Sequence, residues 1–124
     1  MPNPNQKIFI PVNVASSKNS KQWTGKFLVS SKTTQSYTKA TSAFYSLYKY
    51  QFKEMVKDQP KPYKIGFYFI RDSKRKFDFV NVAQLPLDLM VKHGWLDDDN
   101  ADEVIPVFLG YHVDKEKAGL EIVI

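Results

Sequence analysis

Apolar and polar positions alternate along "KIFIPVNV", residues 7–14, with β-branched side chains recurring, and this pattern predicts a strand. A basic, polar loop, "SSKNSKQWTGK" (16–26), leads to "KFLVS" (26–30), which predicts a second, shorter strand. From Thr34 to Lys57 the period lengthens. Tyr37, Ala40, Phe44, Leu47, Tyr48, Phe52 and Met55 recur mainly at three- and four-residue spacing, as one core-facing side of a helix does. That aromatic row reads as core rather than as a base-stacking platform. The opposite side carries Lys39, Ser42, Ser46, Lys49, Lys53 and Lys57 and is mainly basic.

"QPKPY" (59–63) stops this helix, because proline lacks an amide hydrogen and disfavours helical geometry in the residue before it. "KIGFYFIR" (64–71) is apolar on both faces and predicts a central strand. A second helix is expected from a cap at Asn81 to Lys92, ended by Gly94. Pro86 fits only if that helix starts near Leu85, with the proline at its first position, or if its first turn is distorted. "EVIPVFLGYHV" (103–113) and "LEIVI" (120–124) read as two closing strands joined by the turn-like "DKEKAG". The elements sum to one α+β domain, a mixed or antiparallel sheet packed against one long and one shorter helix.

Composition narrows the chemistry. The 124 residues include no cysteine, which removes disulfides, thiolate metal sites and cysteine nucleophiles. Two histidines, His93 and His112, leave carboxylates, lysines and hydroxyls to do any work. No apolar run approaches the ~20 residues of a membrane helix and no basic-then-apolar leader opens the chain, so a soluble, cytoplasmic protein is expected. The net charge of +5 conceals a split: residues 1–76 carry 15 Lys and Arg against 3 Asp and Glu, whereas residues 77–124 carry 3 against 10. The first part suits a polyanion, and the second would repel one unless it bound cations.

Two stretches concentrate this contrast, "KRKFDFVN" (74–81) and "HGWLDDDNADE" (93–103). A strand, a helix and a return bring Asp78 and the run Asp97, Asp98, Asp99 toward one region. Two carboxylates about 4 Å apart repel by ~4 kcal/mol at an effective dielectric near 20, so a compact cluster needs water or a cation. Oxygen-only ligands suit Mg²⁺ or Mn²⁺. A calcium loop fits poorly, because Ala101 and Asp102 stand where a third ligand and a glycine belong. The alternatives are that the acids cap a helical turn near Asn100, or that they are simply solvated surface.

Taken together and in order, "IPVNVASSK", "LVSSKTTQSY", "KRKFDFVN" and "LMVKHGWLDDDN" resemble the RusA family of Holliday junction resolvases over most of the chain. The resemblance implies a homodimer that binds branched DNA and cuts it with Mg²⁺ or Mn²⁺ held by aspartates, and a paired-strand carboxyl end. Asp78 matches the first aspartate of the family's Asp-x-Asp-Asn motif, Asn81 its asparagine, and Asp98 and Asp99 the later acidic pair, so these aspartates are the implied catalytic and metal-binding residues. Two positions depart from the motif: Val80 stands where its second aspartate belongs and Gln84 where its catalytic lysine does. An extended chain would point Val80 to the same side as Asp78. Lys18, Lys21, Lys49, Lys53, Lys74, Arg75 and Lys76 are the expected DNA contacts. Neutralising about five phosphates would give log affinity a slope near −4.5 against log salt. Two readings stand: a metal-dependent nuclease of reduced or altered activity, and a DNA-structure-binding protein that does not cut. A protein-interaction role with neither DNA nor metal accounts least well for the charge split.

Overall fold

A four-stranded mixed sheet lies at the centre of this computed structural model, which describes residues 7–16, 21–23, 28–30 and 32–124. Its strands are β1 (Lys7–Pro11), β4 (Tyr63–Arg71), β5 (Val104–Val113) and β6 (Gly119–Val123), in the order β1-β6-β4-β5. β6 runs antiparallel to both β1 and β4, whereas β5 runs parallel to β4. β2 (Lys21–Trp23) and β3 (Leu28–Ser30) form a separate antiparallel pair, so part of the stretch expected as a polar loop is strand. Two helices complete the domain, α1 (Lys32–Val56) and α2 (Phe79–Lys92). The α+β class and the long-plus-short helix pair are as the periodicities predict. No helix among the described residues is long and apolar enough to cross a membrane.

β4 is central because it is buried on both faces. Ile65, Phe67 and Phe69 face the core that also holds Ile8 and Ile10 of β1 and Leu120 and Ile122 of β6. On the other face Gly66 lies under Leu109, and a Cβ there would stand 2.5 Å from the Leu109 Cδ1. This corrects the expectation that the last two strands pair. β4 separates β5 from β6, since a strand apolar on both faces takes a neighbour at each edge, and the ten-residue β5 pairs along all of β4. The parallel pairing makes the chain cross the end of β4. There the Asp114 N–H donates to the Arg71 carbonyl at 2.9 Å, and the Asp114 carboxylate accepts from Glu116 and Lys117 N–H in a short 3-10 turn, Lys115–Lys117.

β1 stops at Pro11 rather than Val14, because Val12 takes a left-handed φ of 85°, which ends extended pairing and turns Asn13 and Val14 toward the carboxyl end of β4. In α1 the core-facing residues are Tyr37, Thr41, Tyr45, Phe52 and Val56; Ala40 is exposed and Leu47 is 65% exposed. The stripe expected from apolarity is thus rotated slightly. Its buried polar atoms are satisfied locally: the Thr41 hydroxyl donates to the Tyr37 carbonyl at 2.7 Å, and the Tyr37 and Tyr45 hydroxyls bond each other at 3.0 Å. Burial pushes both tyrosine hydroxyls up, so they stay protonated.

α2 also differs from expectation. Its N-cap is Asp78, extended at φ −106° and ψ 133°, and Asn81 lies inside the first turn. Pro86 is interior. The lost N–H deprives one carbonyl of its helical partner, but Val82, Ala83, Leu85, Leu87, Leu89 and Met90 are buried along the same helix, and this packing holds it continuous. The far end closes in a Schellman motif: Trp95 N–H donates to the Met90 carbonyl at 2.8 Å and Gly94 N–H to the Val91 carbonyl at 3.1 Å, with Gly94 left-handed at φ 80°. Trp95 is fully buried, stacks on Phe52 with centroids 5.0 Å apart, and donates its indole N–H to the Tyr45 carbonyl at 2.7 Å. This anchor fixes where the acidic loop leaves the core.

Candidate functional site

The carboxyl end of β4 and the amino end of α2 frame an open cleft of about 820 Å³. The Arg71 guanidinium donates to the Val14 carbonyl at 2.8 Å and lies over the Phe77 ring, 4.5 Å from its centroid. Burial pulls the Arg71 proton affinity down, the direction expected for a half-buried cation, with Asp72 opposing it. Asp72 N–H donates to the Asn13 Oδ1 at 3.1 Å, tying the β1 turn to the end of β4. Arg71, Arg75, Lys76 and Lys115 line the cleft against two carboxylates, Asp72 and Asp78. Four cations converging on one concave surface attract phosphates, whose release of counterions makes such binding salt-dependent.

Asp78 forms part of the cleft wall. Its side chain makes no capping bond, while its backbone carbonyl accepts from Asn81 and Val82 N–H at 3.0 and 3.2 Å. The Asn81 amide donates to its Oδ2 at 3.4 Å. Asn81 is therefore not the cap expected from its residue type; one turn into the helix, it steadies the carboxylate at the cap. Val80 is 72% exposed in that first turn. Because the chain is helical from Phe79 onward, successive residues rotate by about 100° and Val80 does not share the side of Asp78, as an extended chain would require.

The acidic loop divides its three aspartates among three tasks. Asp97 Oδ2 lies 3.0 Å from Lys61 Nζ, which also pairs with Glu103 at 2.7 Å. The Lys61 hydrogen bond and charge hold the Asp97 carboxyl below its ordinary range, and the bonds to Glu103 and Asp97 push the lysine up. Asp98 turns into its own loop, accepting from Asp99 N–H at 2.8 Å and from the Asn100 amide at 3.0 Å, which lowers its pKa. Asp99 Oδ2 accepts from the Gln84 amide at 3.1 Å, and the same amide donates to Asp88 at 2.7 Å. Asn100 then caps the turn into β5, its side chain accepting from Asp102 N–H at 2.9 Å. The turn near Asn100 is capped, but by Asn100 itself and not by the acids that the capping alternative required.

Asp78 and Asp99 thus meet different parts of α2, and among the described residues no three His, Asp or Glu side chains gather as a ligand set for a metal. The meeting of Asp78, Asp98 and Asp99 anticipated from their order in the chain is not formed, because Asp98 is held by its own backbone and Asp99 by Gln84. A protein-only metal cage does not fit these residues. Mg²⁺, however, commonly takes only one or two carboxylates and completes its octahedron with water and phosphate oxygens. Asp78, in the wall of the cation-lined cleft, offers one hard oxygen donor of that kind.

The expected DNA contacts separate in space. Lys74, Arg75 and Lys76 border the cleft and the pocket beside it. Lys49 instead reaches over Gly94, its Nζ 3.0 Å from where a Cβ would stand, and the Lys53 charge acts on Asp97. Lys18 lies outside the described residues, and so does the side chain of Lys21. The structure adds Arg71, Lys115 and Asn13 to the cleft. Arg71 adjoins the basic run and was within reach of the charge argument. Lys115 sits in the acid-rich part of the chain and enters only because the connection from β5 to β6 crosses the end of β4. Comparison with known proteins finds no matching family model and no matching curated protein.

Proposed function

We propose that this chain is a RusA-like, metal-dependent endodeoxyribonuclease that acts on branched DNA in the cytoplasm, as in Holliday junction resolution during recombination and repair. The observation that carries this reading is the cleft in which Arg71, Arg75, Lys76 and Lys115 surround Asp78 and Asn81. Arg75, Lys76 and Lys115 bind backbone phosphates. Arg71, oriented by the Val14 carbonyl and the Phe77 ring, supplies a fixed charge at the cleft floor. Asn81 orients the Asp78 carboxylate toward the bound strand. Mg²⁺ or Mn²⁺ would be held by Asp78 together with phosphate oxygens, and would activate water and offset charge on the scissile phosphate.

A second copy of the chain, the expected homodimer, is supported by the sheet face away from the helices, where Phe9, Ile105, Val107 and Leu109 are exposed. Such an apolar face is a common basis for association. Binding without cutting is the second reading. It is favoured by the Gln84 amide, which occupies Asp99 with a neutral donor, and by Val80, which offers no ligand.

Cleavage of a labelled four-way junction with Mg²⁺ or Mn²⁺, compared between the parent and Asp78→Asn, tests the proposal. Asp78 makes no side-chain capping bond, so the variant is expected to fold, bind the junction and lose cleavage. A parent that binds the junction but cuts nothing with either metal supports the binding-only reading. A parent that binds no DNA at low salt overturns both.

A further inference from the structure

Next to the basic cleft is a second cavity of about 400 Å³ with a different chemistry. Its walls are aromatic: Phe77 and Phe79 from either side of Asp78, and Phe108 and Tyr111 from β5. Phe79 and Phe108 have centroids 5.2 Å apart, Phe77 meets Tyr111 edge-on at 5.0 Å, and Phe108 stacks on the buried Phe69 at 6.2 Å. The row begins in the core and ends at the surface. Phe69 is fully buried, whereas Phe108 is 43% and Tyr111 54% exposed. Packing explains the inner end but not two large rings left open on an edge strand.

The rim explains them. Lys74, Arg75 and Lys76 lie along the mouth of the cavity, and among the described residues none of the three forms an ion pair. Flat aromatic walls below three uncommitted cations complement a ligand that is planar and apolar at one end and anionic at the other. A duplex strand does not present that pairing, because its bases are stacked and paired inside. A nucleotide whose base has left the stack does: the base lies against the exposed faces of Phe108 and Tyr111 while its flanking phosphates rest on the lysines and arginine.

We infer that the pocket walled by Phe79, Phe108 and Tyr111 holds an unpaired base of a DNA strand, placing the adjoining phosphate at Asp78. This rests on the DNA reading proposed above and specifies the strand it takes, one with an unstacked nucleotide. The Tyr111 hydroxyl adds a donor and acceptor for the base edge. Asp78, shared by both cavities, joins the base pocket to the phosphate cleft.

The test uses the full chain and fluorescence anisotropy on three labelled probes: a short single strand, the same strand with one central abasic position, and its duplex. Tyr111→Ala is expected to weaken single-strand binding by about tenfold, in line with the loss of one base–aromatic stack, and to leave duplex affinity unchanged. Tyr111→Phe keeps the ring and is expected to retain the parental affinity. A 2-aminopurine in the single strand, quenched on binding to the parent, is expected to stay bright with Tyr111→Ala. Circular dichroism confirms that the variants fold. If Tyr111→Ala binds the single strand and quenches the reporter as the parent does, the base pocket is overturned while junction binding stands. If the parent binds none of the probes or junctions, the DNA reading fails along with it.

Discussion

Replacing Trp95 with alanine should remove a large part of the stability of the domain. The ring is fully buried against Phe52 and Tyr45, and its N–H meets the Tyr45 carbonyl. Removing such a side chain costs about 3–5 kcal/mol through lost transfer energy and the cavity left behind. The lost hydrogen bond is the smaller contribution, about 0.5–1.5 kcal/mol, because the Tyr45 carbonyl lies within α1 and keeps a helical partner. Set against a total stability of about 5–15 kcal/mol, the change lowers the melting temperature by roughly 12–20 °C. Trp95→Phe separates the two contributions, since it keeps one ring in the stack and loses the donor, for about 1–2 kcal/mol. Urea unfolding followed by far-ultraviolet circular dichroism gives both values from the midpoints, provided the slope is unchanged. A cost under about 1 kcal/mol for Trp95→Ala would show that the indole does not anchor the loop, and the placement of Asp97–Asp99 would need another cause.

Gly94→Ala puts a Cβ on a left-handed residue and 3.0 Å from Lys49 Nζ; the lysine can move aside, so the backbone penalty remains, about 1–2 kcal/mol by the same unfolding assay. Lys61→Met should raise the Asp97 pKa toward the ordinary carboxylate value, read by NMR titration. Because the parent Asp97 is depressed in the folded state, its contribution is present above the unfolded value near 3.9 and lost as pH falls through the folded one, so the variant's stability should decline less steeply below about pH 4. Gln84→Lys, which replaces the neutral donor on Asp99 by a cation, should raise Mg²⁺-dependent junction cleavage by about 10²-fold, since groups of this kind stabilise developing charge. Val80→Asp alone should add little, because that position does not share the side of Asp78; equal cleavage by parent and Gln84→Lys would mean the existing groups suffice.

Periodicity alone determined the element types. β1, β3, α1, β4 and the two closing strands follow from alternation and three-to-four spacing, because those patterns reflect burial that each segment needs whatever its neighbours are. The charge split likewise singled out the basic run 74–76 and the acids that follow it as the chain's contrasting charged segments. Tertiary structure decided the rest. Asp78 rather than Asn81 caps α2, and Pro86 sits inside it, because burial of the helix's apolar residues outweighs one missing hydrogen bond. Serines on the polar side of α1 turn out to meet His93, the Ser46 hydroxyl lying 3.1 Å from its Nδ1. Lys115 reaches the cleft only through the crossing from β5 to β6, and three neighbouring aspartates part company because Lys61, a backbone N–H and Gln84 each claim one. Partners separated by 15 to 36 residues leave no local trace, since a side chain's charge is written in the sequence but the atom that answers it is set by the packing of elements far along the chain.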